Sequence, residues 1–201
     1  MKSQYNSGFA VAIAWPETLC KQASAWYDLP LYFFGINKRG YYKVGHAAVV
    51  LIENKTGNCF YFDFGRYHAP HGFGRVRDKE TDHDLEIKTT ALILENQVIQ
   101  NLEEILGELS LNESCHGTGK MHAAFTTIDF SSSFEYAKRM QQQDFYAYGP
   151  FVNKGTNCSR FVQSVILAGL PIGLKRVKLK FPLTITASPK GNVKALNKKP
   201  F

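Results

Sequence analysis

The strongest constraint on the fold of this chain is the run Ala47-Ala48-Val49-Val50-Leu51-Ile52, six apolar residues in a row. Asn54-Lys55-Thr56-Gly57 follows it, and then a second segment rich in aromatic residues, 59–67. A run this short and rich in β-branched residues, ended by turn chemistry, reads as an apolar strand. The two segments therefore predict an antiparallel hairpin over residues 44–53 and 59–67. If the turn pairs Glu53 with Asn58, His46 faces Gly65, and Asp63 lies one diagonal step away on the same sheet face. A slip of one residue would send Asp63 to the other face.

Other segments complete a mixed pattern. Strands are expected at 9–15, 85–94, 121–128 and 177–184. Helices are expected at 16–26, 97–111 and 157–170, with another following a cap at Ser131–Ser133. The reading is an α+β domain with a mainly antiparallel sheet. With 201 residues and 44% hydrophobic content, the chain has the material for one real core. One domain spanning 1–201 is expected, with an inserted region around 68–148 and a basic segment at 171–201.

That last segment holds eight Lys or Arg and no acid, which accounts for the net charge of +7. A basic tail can meet nucleic acid, anionic lipid or an acidic polymer. No recognition motif accompanies it, so it is read as a solvated edge strand and a frayed terminus, and no nucleic-acid partner is expected. No apolar run approaches the ~20 residues of a membrane span, and the start of the chain has no signal-peptide cleavage pattern, so a cytoplasmic address is expected.

Four cysteines, Cys20, Cys59, Cys115 and Cys158, are widely spaced, with no Cys-x-x-Cys pair. This excludes a zinc ribbon and a dense disulfide scaffold. Cys158 stands apart because it follows Thr156-Asn157, a good N-cap, and opens a helix whose Phe161, Val162, Val165 and Ile166 turn inward. A thiol in a first helical turn is polarised toward the thiolate, and the N–H groups beside it can face a developing oxyanion. His46, at the start of the apolar strand, is the candidate base, and Asp63 is the residue that would orient it.

Asn157-Cys158-Ser159-Arg160-Phe161-Val162-Gln163-Ser164 resembles the nucleophile helix of the NlpC-type papain-like superfamily. It also resembles the Asn-Cys-x-x-Phe-Val stretch of lecithin retinol acyltransferase-like proteins. Gly45-His46-Ala47-Ala48-Val49-Val50 resembles the histidine strand of the permuted, YiiX-like branch, in which that strand precedes the cysteine helix. The resemblance implies a papain-like (permuted NlpC-type) core, with an antiparallel sheet packed against a nucleophile-bearing helix. It also implies a cysteine peptidase or amidohydrolase using Cys158, His46 and Asp63 through an acyl-enzyme intermediate. A small peptide, amide or acyl substrate follows, with no cofactor. The same residues would serve an acyltransferase, and a papain-like fold without activity would serve as a binding module.

Rival readings are present in the same residues. Cys20 beside a helix start would give Cys20, His46 and Asp63 in the unpermuted order. His68, His71, Asp82, His83 and Asp84, with Cys115, His116 and His122, would supply ligands for a metal-dependent hydrolase, although no metal-ligand spacing is present. Cys59 is expected to be a small core residue and Cys115 an exposed loop thiol. Arg75 and Arg77 suit a carboxylate on the substrate. Tyr148 or Tyr146, upstream of the nucleophile loop, is the candidate second oxyanion donor.

Overall fold

In a computed structural model of the chain, residues 6–21, 28–33, 37–38, 40–94, 98–170, 173–182, 184 and 186–197 are described. The elements begin with β1 (Gly8–Trp15), β2 (Cys20–Lys21), α1 (Asp28–Phe33), β3 (Asn37–Lys38) and β4 (Tyr41–Tyr42). The hairpin strands β5 (His46–Glu53) and β6 (Cys59–Gly65) follow, then β7 (Phe73–Arg77), α2 (Leu102–Leu111), β8 (His122–Ile128) and α3 (Phe130–Gln142). The chain continues through β9 (Tyr146–Ala147), α4 (Cys158–Gly169), α5 (Leu174–Lys180) and α6 (Pro189–Leu196).

Six strands form one antiparallel sheet in the order β8-β1-β5-β6-β7-β9. A small second sheet runs β2-β4-β3. The architecture is the expected α+β with an antiparallel sheet. The region 68–148 is woven into that sheet, since β7, β8 and β9 all come from it.

Both faces of the large sheet are covered, which is why β1 and β5 read as unbroken apolar runs. On one face Ala47, Val49, Leu51 and Phe62 meet Phe161, Val162, Val165 and Ile166 of α4, with residues of α5 and α6 in the same cluster. On the other, Val50, Ile52 and Tyr61 meet Leu85, Ile99, Ile105 and Leu109. The hairpin turn closes as the sequence requires: the Glu53 N–H donates to Asn58 O at 3.1 Å, and Gly57 takes the positive φ (73°). This sets the register Ala48↔Asp63.

Four local expectations are corrected. Residues 16–26 do not begin as a helix: Pro16 and Glu17 form a turn, and Cys20–Lys21 pairs with β4; residues 22–26 lie outside the described residues. Residues 85–94 keep their alternating burial but join no named strand. Their N–H groups go instead to the Glu108 carboxylate, the Asn101 side chain and Gly57 O. The cap of α3 is Asp129, whose side chain accepts from the Ser132 N–H, while Ser133 Oγ donates to Val165 O.

The expected strand at 177–184 is replaced by α5, which buries Leu179 and is held by the Arg176 guanidinium on the last carbonyls of α4, Leu167 O and Leu170 O (2.6 Å each). The C-terminal segment continues as α6, capped by Ser188 with Pro189 in its first turn, and the expected frayed terminus at 198–201 lies outside the described residues.

Phe161 is fully buried between α4 and the sheet, whereas Leu111 is 85% exposed. Phe161→Ala is expected to cost about 3–5 kcal/mol by removing core contacts and leaving a cavity. Leu111→Ala should stay within about 0.5 kcal/mol. Urea denaturation midpoints compare the two.

Candidate active site

The site begins with a backbone device. Gly45 stands immediately before β5 with φ +77°, and a Cβ there would lie 2.8 Å from Trp15 O and 2.9 Å from Pro16 Cα. Only glycine fits that approach without strain. The turn delivers His46 opposite Trp15, where the two rings stack with centroids 5.9 Å apart and 18° between planes.

Because Asp63 pairs with Ala48, two residues along from His46, its side chain falls on the same face as the imidazole. His46 Nε2 lies 3.0 Å from Asp63 Oδ2, and both residues are buried. The sequence expectation for this pair therefore matches the observed register.

Asp63 is fully buried, and a carboxylate there requires several partners. Arg77, opposite it on β7, donates from Nε to Oδ1 (2.9 Å) and from Nη2 to Oδ2 (2.6 Å). The Tyr61 hydroxyl donates to Oδ2 at 3.0 Å. Arg77 is only 2% exposed, donates also to Ser114 O, and lies 4.3 Å from the centre of the Tyr67 ring, which stacks on His116. Burial alone would raise the Asp63 carboxyl, but His46 and Arg77 override it and hold the group at about 2. Asp63 thus stabilises the fold above its ordinary value near 3.8, and that contribution is lost as pH falls through about 2.

Cys158 is the first residue of α4, and the Asn157 side chain caps the helix by accepting from the Arg160 N–H at 2.9 Å. As a first-turn residue, Cys158 has an N–H with no intrahelical acceptor. Its sulfur is buried, which opposes the thiolate. The hydrogen bond and charge of His46, together with the Ala47 N–H and the Ser159 hydroxyl, outweigh that burial and bring the thiol below its ordinary value. His46 responds in kind. Burial disfavours its charged form, but Asp63 and Cys158 raise it to about 9. The geometry thus brings Cys158, His46 and Asp63 together and favours a thiolate–imidazolium pair.

The other thiols differ. Cys20 lines the same cleft as Cys158, but its Sγ donates to Gly45 O at 3.3 Å. Burial and the neighbouring Cys158 push its thiol up to about 12, Arg66 only partly opposing them. Burial likewise raises Cys59 to about 11 and Cys115 to about 12. Cys59 sits in β6 as a core residue, while Cys115, expected to be exposed, is 1% exposed in the second core cluster.

The histidine-rich segment is not a ligand set. His68, His71 and His83 are exposed, Asp82 is paired with Arg75 at 2.8 Å, and His116 stacks on Tyr67. Among the described residues no group of three or more His, Cys, Asp or Glu stands together as a metal would require. Arg75 and Arg77, expected to face a substrate carboxylate, are instead engaged by Asp82 and Asp63. Sequence reasoning misses Tyr61 as a site residue and gives Arg77 a substrate-facing role in place of its hold on Asp63. The alternation of Phe73 to Arg77 was the available signal, hidden by Gly and His on either side.

Tyr148 lines the cleft beside Asn157 and Cys158, its ring stacked on Phe64 at 5.8 Å and 8°, and burial raises its hydroxyl well above the ordinary value. Tyr146 donates to Gln143 Oε1 instead. Thr186, Ala187, Ser188 and Pro189 close the cleft from the C-terminal segment, and Asn192 Nδ2 ties α6 to Ser159 O at 2.8 Å. Among the described residues no helix is long and apolar enough to cross a membrane.

Comparison with known proteins bears on the family. No curated protein matches the sequence. Among solved structures, the crystal structure of the type VI secretion system effector TseH is similar, with a TM-score of 0.57 and 18% identity, over 95% of this chain and 88% of that one. At that identity the likeness speaks for the fold alone. Residues 10–171, a span that includes His46, Asp63 and Cys158, match the family described as type VI secretion system effector TseH-like. The chain therefore belongs to the TseH-like family of type VI secretion system effectors.

Proposed function

We propose that the chain is a cysteine hydrolase of papain-like, permuted NlpC-type architecture, acting as one domain on an amide or related acyl bond. The observation that carries this reading is the convergence of two elements on one imidazole. Asp63 holds Nε2 at 3.0 Å, and the thiol at the start of α4 is depressed by the same ring.

In this reading the Cys158 thiolate attacks the substrate carbonyl, and a C–S bond forms. The developing oxyanion is met by the Cys158 N–H, with the Tyr148 hydroxyl as the second donor. The His46 imidazolium passes its proton to the leaving amine as the C–N bond breaks. Neutral His46 then takes a proton from water, which attacks the thioester, releasing the acid and the free thiol. Asp63 keeps the ring oriented and stabilises its cationic form, as the third member of a triad does. Arg77 positions Asp63 and touches no reacting atom.

Membership in an effector family supports a further part of the reading. The sequence alone predicts a cytoplasmic address; membership in a family of secretion-system effectors points instead to delivery into a receiving cell, where in this reading the substrate lies.

Two outcomes test the chemistry. Cys158→Ala and His46→Ala should each abolish acyl-substrate turnover while far-ultraviolet circular dichroism is retained, and turnover persisting in Cys158→Ala would sink the proposal. The pH profile is the second test. The lowered thiol and the raised His46, at about 9, both favour the ion pair over the neutral pair. Iodoacetamide should therefore alkylate Cys158 faster below pH 7 than the other three cysteines, read peptide by peptide by mass spectrometry. Turnover should fall above about pH 9 as His46 loses the proton that the leaving group needs.

A further inference from the structure

The cleft beside Cys158 has a volume of about 320 Å³ and a chemical character that the triad does not determine. Tyr42, Val44, Tyr148, Pro150, Ala187 and Pro189 are among the residues that line it. Among the described residues lining it, Lys21 is the one Lys, Arg, Asp or Glu, and it is exposed. Beside the cleft, the Arg66 guanidinium is already engaged: it donates to Lys21 O at 2.9 Å and lies 5.8 Å over the Tyr148 ring. The lining polar groups of Asn157, Ser159, Thr186 and Ser188 are neutral, and three of them already serve the backbone or a neighbouring side chain. Asn157 caps α4, Ser188 caps α6, and Thr186 Oγ1 accepts from Arg160 Nε.

Apart from the exposed Lys21, nothing in this lining compensates a carboxylate, and a charge brought out of water needs such compensation. An apolar group gains from the same walls, because each methylene that leaves water is worth roughly fourfold in affinity. Pockets of this size and lining hold apolar ligands through shape and a few polar contacts.

We infer that this cleft receives an uncharged, apolar acyl group, and that the bond cleaved is the one joining that group to its leaving amine or alcohol. The inference rests on the Cys158 nucleophile proposed above. Two sources share the chemistry, an aliphatic acyl chain and the acyl half of a peptide with an apolar side chain. An acidic peptide does not.

The test uses alkylating probes on the whole chain at pH 6.5: iodoacetamide, its N-ethyl, N-hexyl, N-decyl and N-phenethyl derivatives, and iodoacetate. Cys158 modification is read by mass spectrometry, and each rate is divided by that of N-acetylcysteine. The ratio should rise at least tenfold from N-ethyl to N-hexyl, and iodoacetate should be slower than iodoacetamide. A further gain with N-decyl identifies an aliphatic chain. A rate with N-phenethyl equal to N-hexyl, and no gain with N-decyl, identifies an apolar side chain. Val44 is half-exposed, so Val44→Glu should fold, and it should collapse the hexyl-to-ethyl ratio.

A flat series, a faster iodoacetate, or an unchanged ratio in Val44→Glu overturns the assignment. Fast iodoacetamide with a flat series overturns this inference and leaves the nucleophile standing. Slow iodoacetamide at Cys158 overturns both.

Discussion

A buried carboxylate organises this molecule. Asp63 has no solvent to hold its charge, so three neighbours hold it: Arg77 through both oxygens, His46 and Tyr61. A charge in that position is tolerable only while its partners are in place, and removing one side of such a cluster leaves the other stranded. The requirement fixes more than one side chain. It fixes the pairing of β6 with β5 on one edge and with β7 on the other, because His46 and Arg77 reach Asp63 only in the observed registers. The electrostatics of the site and the order of the central strands are thus one constraint.

The second requirement is to bring a polarised thiol to that imidazole from a different layer. The α4 helix does this because its apolar side chains anchor it against β5 and β6, while Asn157 satisfies its first turn. The rigid element carries the sulfur and the sheet carries the base, so neither depends on a long loop for its position. The walls of the cleft are less uniform in origin. One comes from a two-residue strand and the Gly45 turn, the other from the start of α6, which is tied to Ser159 through Asn192.

The residues that reason well from sequence are those whose signals are local and redundant. The His46–Asp63 pair follows from counting across a turn that Gly57 closes, and the helix at Cys158 follows from a cap and an apolar stripe. Arg77 fails for the opposite reason. Its strand is five residues long, and it begins inside a Gly- and His-rich stretch that reads as loop. Residues 85–94 alternate as a strand should, yet three of their N–H groups go to side chains, those of Glu108 and Asn101, which no periodicity reveals. At 177–184 the alternation of Val, Leu and Phe with Lys and Pro suggests a strand. Tertiary contacts decide otherwise: Arg176 closes the end of α4, and Leu179 turns inward from a helix. Ser188-Pro189 was a readable helix start, obscured by the charge of the segment around it.

The position of α6 has a consequence for how the cleft comes into being. His46 and Asp63 are 17 residues apart and belong to one hairpin, whereas the sulfur joins them from position 158 and one wall only from 187–189. A ribosome releases the chain in that order. Until position 158 and then 187–189 have been added, the nascent protein carries His46 and Asp63 with neither a nucleophile beside them nor a closed groove above them, and the cell that makes the chain meets no complete site before then.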